Sequence, residues 1–310
     1  MNQIAYHLLH AVCRTVARLP FRALYAISDA AFVLVYHVVG YRRRVVRSNL
    51  SSSFPEKTTN ELRAIEKRFY HWLCDYFLET LKMLDMTPRQ MLEHIEFRGA
   101  EAMEKCFDEG QSCAAILGHY CNWEYLSAAP LPFRRHPEAK VGLIYHPLYN
   151  KAFDRLFIDI RSSMGGMCVR KQDILRQVYT LKQQGVPSLF GYISDQAPKW
   201  ENIHLWLPFL NHDTPVFTNG ERIMRKMNNA VFYVDMQRPE RGRYVCTYRL
   251  IAKTPGELPE HGVTRRFFEM LEDTIRRQPE YYLWTHNRWK RTHEEYNRKV
   301  AAGEIKVKTS

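Results

Sequence analysis

A chain of 310 residues that is 45% apolar can bury a substantial core, and no Ser/Gly/Pro linker or internal repeat divides it. Its formal charge of +12 calls for an anionic partner, whether nucleic acid, a membrane surface or a phosphorylated substrate. The seven cysteines form no CxxC pair and keep no regular spacing, which argues against a disulfide framework and for reduced thiols facing the cytosol.

The chain opens on a helical apolar pattern (Ile4, Leu8, Leu9, Val12, Val16), broken at Pro20. Leu24 to Tyr41 is then mostly apolar but contains Ser28, Asp29 and His37. No small-residue cleavage site follows, which disfavours a secretory signal peptide. The charge-free part, Ala30 to Tyr41, is shorter than the roughly 20 apolar residues of a spanning helix. A tilted span and an embedded interfacial helix both remain open. Arg42, Arg43, Arg44 and Arg47 follow at once, and suit a cytoplasmic position against anionic headgroups, although a solvated arginine face on an ordinary helix has the same composition. At Thr58, with Glu61 three residues on, the spacing predicts a capping box. Leu62, Ile65, Phe69, Leu73, Tyr76, Phe77 and Leu81 then mark one face of a long helix, whose aromatics serve packing or a lipid-facing surface.

From Ile95 short strand-like and longer helix-like runs alternate. Strands are predicted at 95–97, 113–117, 141–145, 167–169 and 186–193, and helices at 100–108, 149–164 and 173–184. Alternation at these lengths argues for an α/β fold, a central sheet flanked by helices. Further on, 221–227 reads as a helix, 231–236 and 244–250 as paired strands, and 263–277 as an amphipathic helix. Residues from Glu294 are polar and expected to fray.

The chemistry gathers around SCAAILGHYCNWEYL, residues 112–126. Cys113 to Leu117 suits a strand buried on both faces. Asn122 is a candidate N-cap for a helix carrying Trp123, Leu126 and Ala129. His119 then lies where a strand ends and a helix begins, a position at which catalytic groups collect in open α/β sheets. A short loop could fold Glu124 back to the imidazole, where a carboxylate fixes the tautomer and stabilises the imidazolium. His119 and Glu124 are thus the candidate catalytic pair. Cys121 is a weaker candidate nucleophile beside them.

This box resembles the HxxxxE/D motif of the glycerolipid and lipid A acyltransferases. The resemblance implies that His119 deprotonates an acceptor hydroxyl, which attacks an acyl thioester, with Glu124 in support. Later blocks, in family order over roughly residues 20–292, resemble the lipid A branch in particular. They include SNLSSSFP at 48–55, Arg161 in IDIRSSMGG, the Arg170–Lys171 pair, Asp195–Gln196 in GYISDQAPK, and a block carrying Phe217, Gly220, Arg225 and Arg238. Near the C-terminus, YYLWTHNRWKR resembles the branch's WLWxHRRWK signature, with Asn287 in place of an arginine; its aromatics and cations suit a membrane interface.

The resemblance implies a mixed-sheet, glycerolipid acyltransferase-like fold, with an N-terminal membrane-associated helical segment (1–57), an acyltransferase domain (58–293) and a polar tail (294–310). Arg161, Arg170, Asp195 and Gln196 are the expected substrate-binding residues, since developing oxyanions and phosphates need cations and donors. The implied partners are an acyl carrier protein or acyl-CoA as donor, a phosphorylated glycolipid acceptor and the anionic inner membrane, with the domain facing the cytoplasm. No metal, organic cofactor or nucleic acid is expected, as no HExxH, Cys/His cluster or nucleic-acid signature occurs. Acylation of another lipid, or a non-catalytic basic protein that binds membranes or nucleic acid, are the rival readings.

Overall fold

The structure, a computed structural model, describes residues 3–305. Among the described residues nine strands form, in chain order: β1 (Ile95–Arg98), β2 (Cys113–Leu117), β3 (Lys140–Tyr145), β4 (Met167–Arg170), β5 (Ser188–Ile193), β6 (Trp206–Phe209), β7 (His212–Pro215), β8 (Ala230–Glu240) and β9 (Arg243–Ala252). Seven make one sheet in the order β1-β9-β8-β2-β5-β3-β4; β6 and β7 make a separate hairpin. Every neighbouring pair in the large sheet is parallel except the β8–β9 hairpin, so the sheet is mixed, with one core of five parallel strands. All five residues of β2 are buried, as a central parallel strand covered on both faces requires.

Among the described residues eleven α-helices accompany it: α1 (Gln3–Ala17), α2 (Phe21–Phe32), α3 (Arg43–Ser53), α4 (Thr59–Lys82), α5 (Pro88–His94), α6 (Ala100–Asp108), α7 (Lys151–Ser162), α8 (Ile174–Gln183), α9 (Asn219–Met227), α10 (Gly262–Arg277) and α11 (His293–Ala301). The predicted box at Thr58 is present in full, with the Glu61 carboxylate accepting from the Thr58 backbone while the Thr58 hydroxyl accepts from the Glu61 N–H. Helix α11, begun by Thr292, occupies the stretch expected to fray. It is held by the β6–β7 hairpin, because the His293 ring stacks on Trp206 at 4.4 Å and its Nδ1 bonds Asp213.

Helix α2 runs on as a π-helical stretch, Val33–Val39, stopped by Gly40 in the left-handed conformation. Together they form the described helix long and apolar enough to cross a membrane. One stripe of it, Leu24, Ser28, Phe32 and Tyr36, is buried, with α2 lying against α4. The opposite side exposes Ile27, Leu34 and Val38, and α1 adds Leu8 and Val12; the side chain of Ile4 lies outside the described residues. Of the four arginines behind this helix, three bind protein. Arg43 and Arg47 grip Glu66, and Arg42 donates to the Thr285 carbonyl.

Candidate active site

Strands β2 and β5 are neighbours with Leu117 opposite Ile193, and the Ser194 N–H continues the ladder to the Leu117 carbonyl. Two residues beyond each paired position the chains present His119 and Asp195, so strand register alone brings them face to face. His119 Nδ1 lies 2.7 Å from Asp195 Oδ1, and the His119 backbone N–H donates to Oδ2 at 3.0 Å. A carboxylate can only accept, so Nδ1 carries a proton, and in the neutral imidazole the lone pair is on Nε2. The Gln196 amide nitrogen sits 3.3 Å from Nε2. Gly118 makes room for this junction: a Cβ there would come within 2.8 Å of Leu271 on α10.

Asp195 is 2% exposed. Burial works to raise its pKa, but the charge and hydrogen bonds of His119, with the nearby Arg288, outweigh that and hold it below the usual carboxylate range. Arg288 itself is enclosed, its pKa brought down to about 10 by desolvation; one of its nitrogens donates to the Pro215 carbonyl, and Nε and Nη1 lack partners. The His286 imidazole is lowered to about 4 by burial and is neutral at physiological pH. Trp284 and Arg288 are thus packed behind the site. The membrane-interface role expected of that segment does not fit two side chains that are 0% and 1% exposed.

Glu124 does not fold back to the imidazole as the sequence suggests. Both its oxygens are taken by Arg161, with Nε at 2.7 Å and Nη2 at 2.6 Å, a fork that satisfies the carboxylate where it is buried. Although burial disfavours the Arg161 charge, the Glu124 hydrogen bonds and charge keep its pKa above the ordinary arginine value. The segment Trp123–Ala128 is a 3-10 helix, and the Asn122 side chain does not cap it. Trp123 packs beside the imidazole, its ring edge-on to it at 5.0 Å and 4.3 Å from that of Tyr76.

The other expected residues divide. Asp195 and Gln196 meet His119, and Arg161 meets Glu124. Arg170 ends β4 and is exposed, three strand spacings, roughly 14 Å, from β2. Arg225 is spent on the carbonyls of Gly256, Leu258 and Pro259, and Arg238 points into the interior, pairing with Asp75 at 2.7 Å. Cys121 is fully buried and its thiol is pushed well above its normal pKa by desolvation, which removes it as a nucleophile. One participant has no motif to reveal it: Glu79, on α4, bonds Asn122. From the C-terminal block, Tyr282 bridges to Tyr120.

An α/β protein with an oriented imidazole at the carboxyl ends of adjacent parallel strands in the middle of its mixed sheet has the design of an enzyme that uses a histidine base. The family model for bacterial lipid A biosynthesis acyltransferases matches residues 2–291, and the chain belongs to that family. It is therefore an acyltransferase of lipid A biosynthesis. No curated protein matches it.

Proposed function

We propose that the protein transfers a fatty acyl chain from an acyl carrier protein thioester to a hydroxyl of a phosphorylated lipid A precursor, with His119 as general base. The observation that carries this reading is the Nδ1–Asp195 bond, which fixes the tautomer in which Nε2 is the basic nitrogen, turned away from the carboxylate partner. In the reaction, Nε2 takes the acceptor's hydroxyl proton as the oxygen bonds the thioester carbonyl carbon. Collapse of the tetrahedral species breaks the C–S bond, and the imidazolium returns the proton to the departing sulfur. The Gln196 amide rests on Nε2 until a hydroxyl replaces it. Arg161, with two of its nitrogens fixed on Glu124, offers Nη1 to an anionic oxygen of substrate, and Arg170 lies further along the same sheet edge for a phosphate. Purified His119→Ala should keep its melting temperature and lose on the order of 10²–10⁴-fold in acyl transfer. Near wild-type turnover would remove the base.

The protein works at the cytoplasmic face of the inner membrane, and its apolar helix lies in the interface without crossing. Ser28 donates to Asp75 at 2.6 Å, and Tyr25 to Glu79 at 3.1 Å, so a span would have to pull these groups off buried carboxylates. The exposed Ile27, Leu34 and Val38 enter the acyl boundary instead. A tryptophan at Ala30, halfway along the exposed stripe, should be quenched by lipids brominated near the headgroup. Strongest quenching from bromines at the bilayer centre would establish a span.

A further inference from the structure

Buried behind the catalytic loop is a cluster of charges that the proposed reaction does not use. Asp75 and Glu79, one turn apart on α4, are 0% and 1% exposed. Arg238 from β8 and Arg241 from the β8–β9 turn pair with Asp75, and Arg241 also reaches Asp29 on α2. Glu79 differs from its neighbour in what it accepts. On Oε1 it takes the Tyr25 hydroxyl at 3.1 Å and, more distantly, Arg238 at 3.5 Å. On Oε2 it takes the Tyr244 hydroxyl at 2.6 Å and the side-chain amide of Asn122 at 3.1 Å.

Asn122 stands midway between His119 and Glu124, in a loop that does not hold its own shape. Cys121, just before it, has φ 51°, a left-handed conformation that residues other than Gly, Asn and Asp rarely adopt. Such a backbone persists only where its surroundings over-determine it. Here the Cys121 N–H donates to Tyr281 and the His119 carbonyl accepts from Leu283, both backbone contacts on one flank. On the other flank the Asn122 amide reaches Glu79, and the Asn122 oxygen, buried, has no partner among the described residues. The Glu79 carboxylate is thus the anchor at the middle of the loop, whose ends are held by Asp195 at His119 and by Arg161 at Glu124, with the Tyr120 hydroxyl donating to the Gln278 carbonyl.

We propose that Glu79 is a positioning residue for acyl transfer. Through Asn122 it fixes the turn that sets His119 against Asp195 and Glu124 against Arg161, and through Tyr25 it ties that turn to the membrane-facing helix. This rests on the reading of His119 as the base. Displacement of a reacting group by about 1 Å can cost on the order of 100-fold, so a loosened turn acts on kcat with binding little changed.

The test compares Asn122→Ala, Glu79→Gln, their double variant and Tyr244→Phe in the full-length protein. Tyr244→Phe removes a bond to the same carboxylate without touching the loop. We expect Asn122→Ala to lower kcat roughly 10- to 100-fold with both KM values within about threefold, and Tyr244→Phe to leave kcat within about twofold. The double variant should be no slower than the slower single one, since both break the same link. Labelling of Cys121 by a maleimide, measured against Cys121→Ala controls, should speed up in Asn122→Ala and stay at the wild-type rate in Tyr244→Phe. If Glu79→Gln does not fold, the Asn122→Ala and Tyr244→Phe pair still decides. A kcat for Asn122→Ala within threefold of wild type, or an equal fall in Tyr244→Phe, overturns the proposal. An active His119→Ala would instead overturn the base, and the Cys121 labelling rates would still report whether Glu79 holds the turn.

Discussion

Replacing Asp195 with asparagine tests which carboxylate serves the imidazole. The change is isosteric at a buried position, but it reverses the logic of two hydrogen bonds. The carboxylate accepts from Nδ1–H through one oxygen and from the His119 backbone N–H through the other. Asparagine has a single acceptor oxygen. If that oxygen stays on the backbone N–H, the amide donates to Nδ1, which moves the imidazole proton to Nε2 and leaves no lone pair for the acceptor hydroxyl. If it stays on Nδ1–H, the amide and the backbone N–H oppose each other, and no charge stabilises the imidazolium. In an oriented pair of this kind the exchange costs on the order of 10⁴-fold in kcat with the geometry otherwise intact, or about 5 kcal/mol in the barrier. Single-turnover acyl transfer, with donor and acceptor both saturating, isolates the chemical step; a melting curve on the same sample checks the fold. Activity within tenfold of wild type would refute the assignment. A stable Glu124→Gln that is far slower than Asp195→Asn would return the supporting role to Glu124.

Arg161→Met should lower stability by about 3–5 kcal/mol, because it strands the buried Glu124 carboxylate, with chemical denaturation as the measure. Cys121→Ala should retain activity within about twofold and lose about 1 kcal/mol of packing, whereas a nucleophile would give an inactive enzyme. Acid should destabilise the fold in a defined window. Both Asp75 and Asp195 titrate below their ordinary range: burial raises each, but Arg241, Ser28 and Arg238 at Asp75, and His119 and Arg288 at Asp195, more than offset it. Their stabilisation is full above an unfolded pKa of about 3.9 and is lost as pH falls through the depressed folded values. Melting temperature followed from pH 6 to pH 2 should drop below about pH 4, and less steeply in Asp195→Asn. A flat profile would show that neither carboxylate is stabilised by folding.

The alternation of strand and helix from Ile95 to Arg277 was readable because each element is short, strongly patterned and punctuated by turn residues. β2 and α6 match their predicted limits, Cys113–Leu117 and Ala100–Asp108. The β6–β7 hairpin, α5 and α11 were not foreseen. His212–Pro215, HDTP, lacks the apolar β-branched content of a strand, and its pairing partner supplies what the local sequence does not. Helix α11 has no buried residue and takes its shape from a cap and from Trp206, which no local pattern displays.

The site divides along the same physical line. His119 and Asp195 were each legible as residues just past a strand, but which carboxylate meets the imidazole depends on β2 lying beside β5 with Leu117 against Ile193, and that pairing is a long-range fact. Spacing along the chain favours Glu124, five residues away. Yet a buried arginine with a fork of donors competes for Glu124, and a bidentate charge-assisted pair holds it more firmly than one imidazole N–H could. The same competition hides Glu79. On α4 it occupies the buried side with the aromatic residues, where a lone carboxylate would be costly, and only the arrival of Tyr25, Asn122, Arg238 and Tyr244 from four other segments makes its charge tolerable. A buried carboxylate on an apolar helix face is therefore itself a signal: the number of donors it requires implies convergence of distant chain segments, and here one of those segments is the catalytic loop.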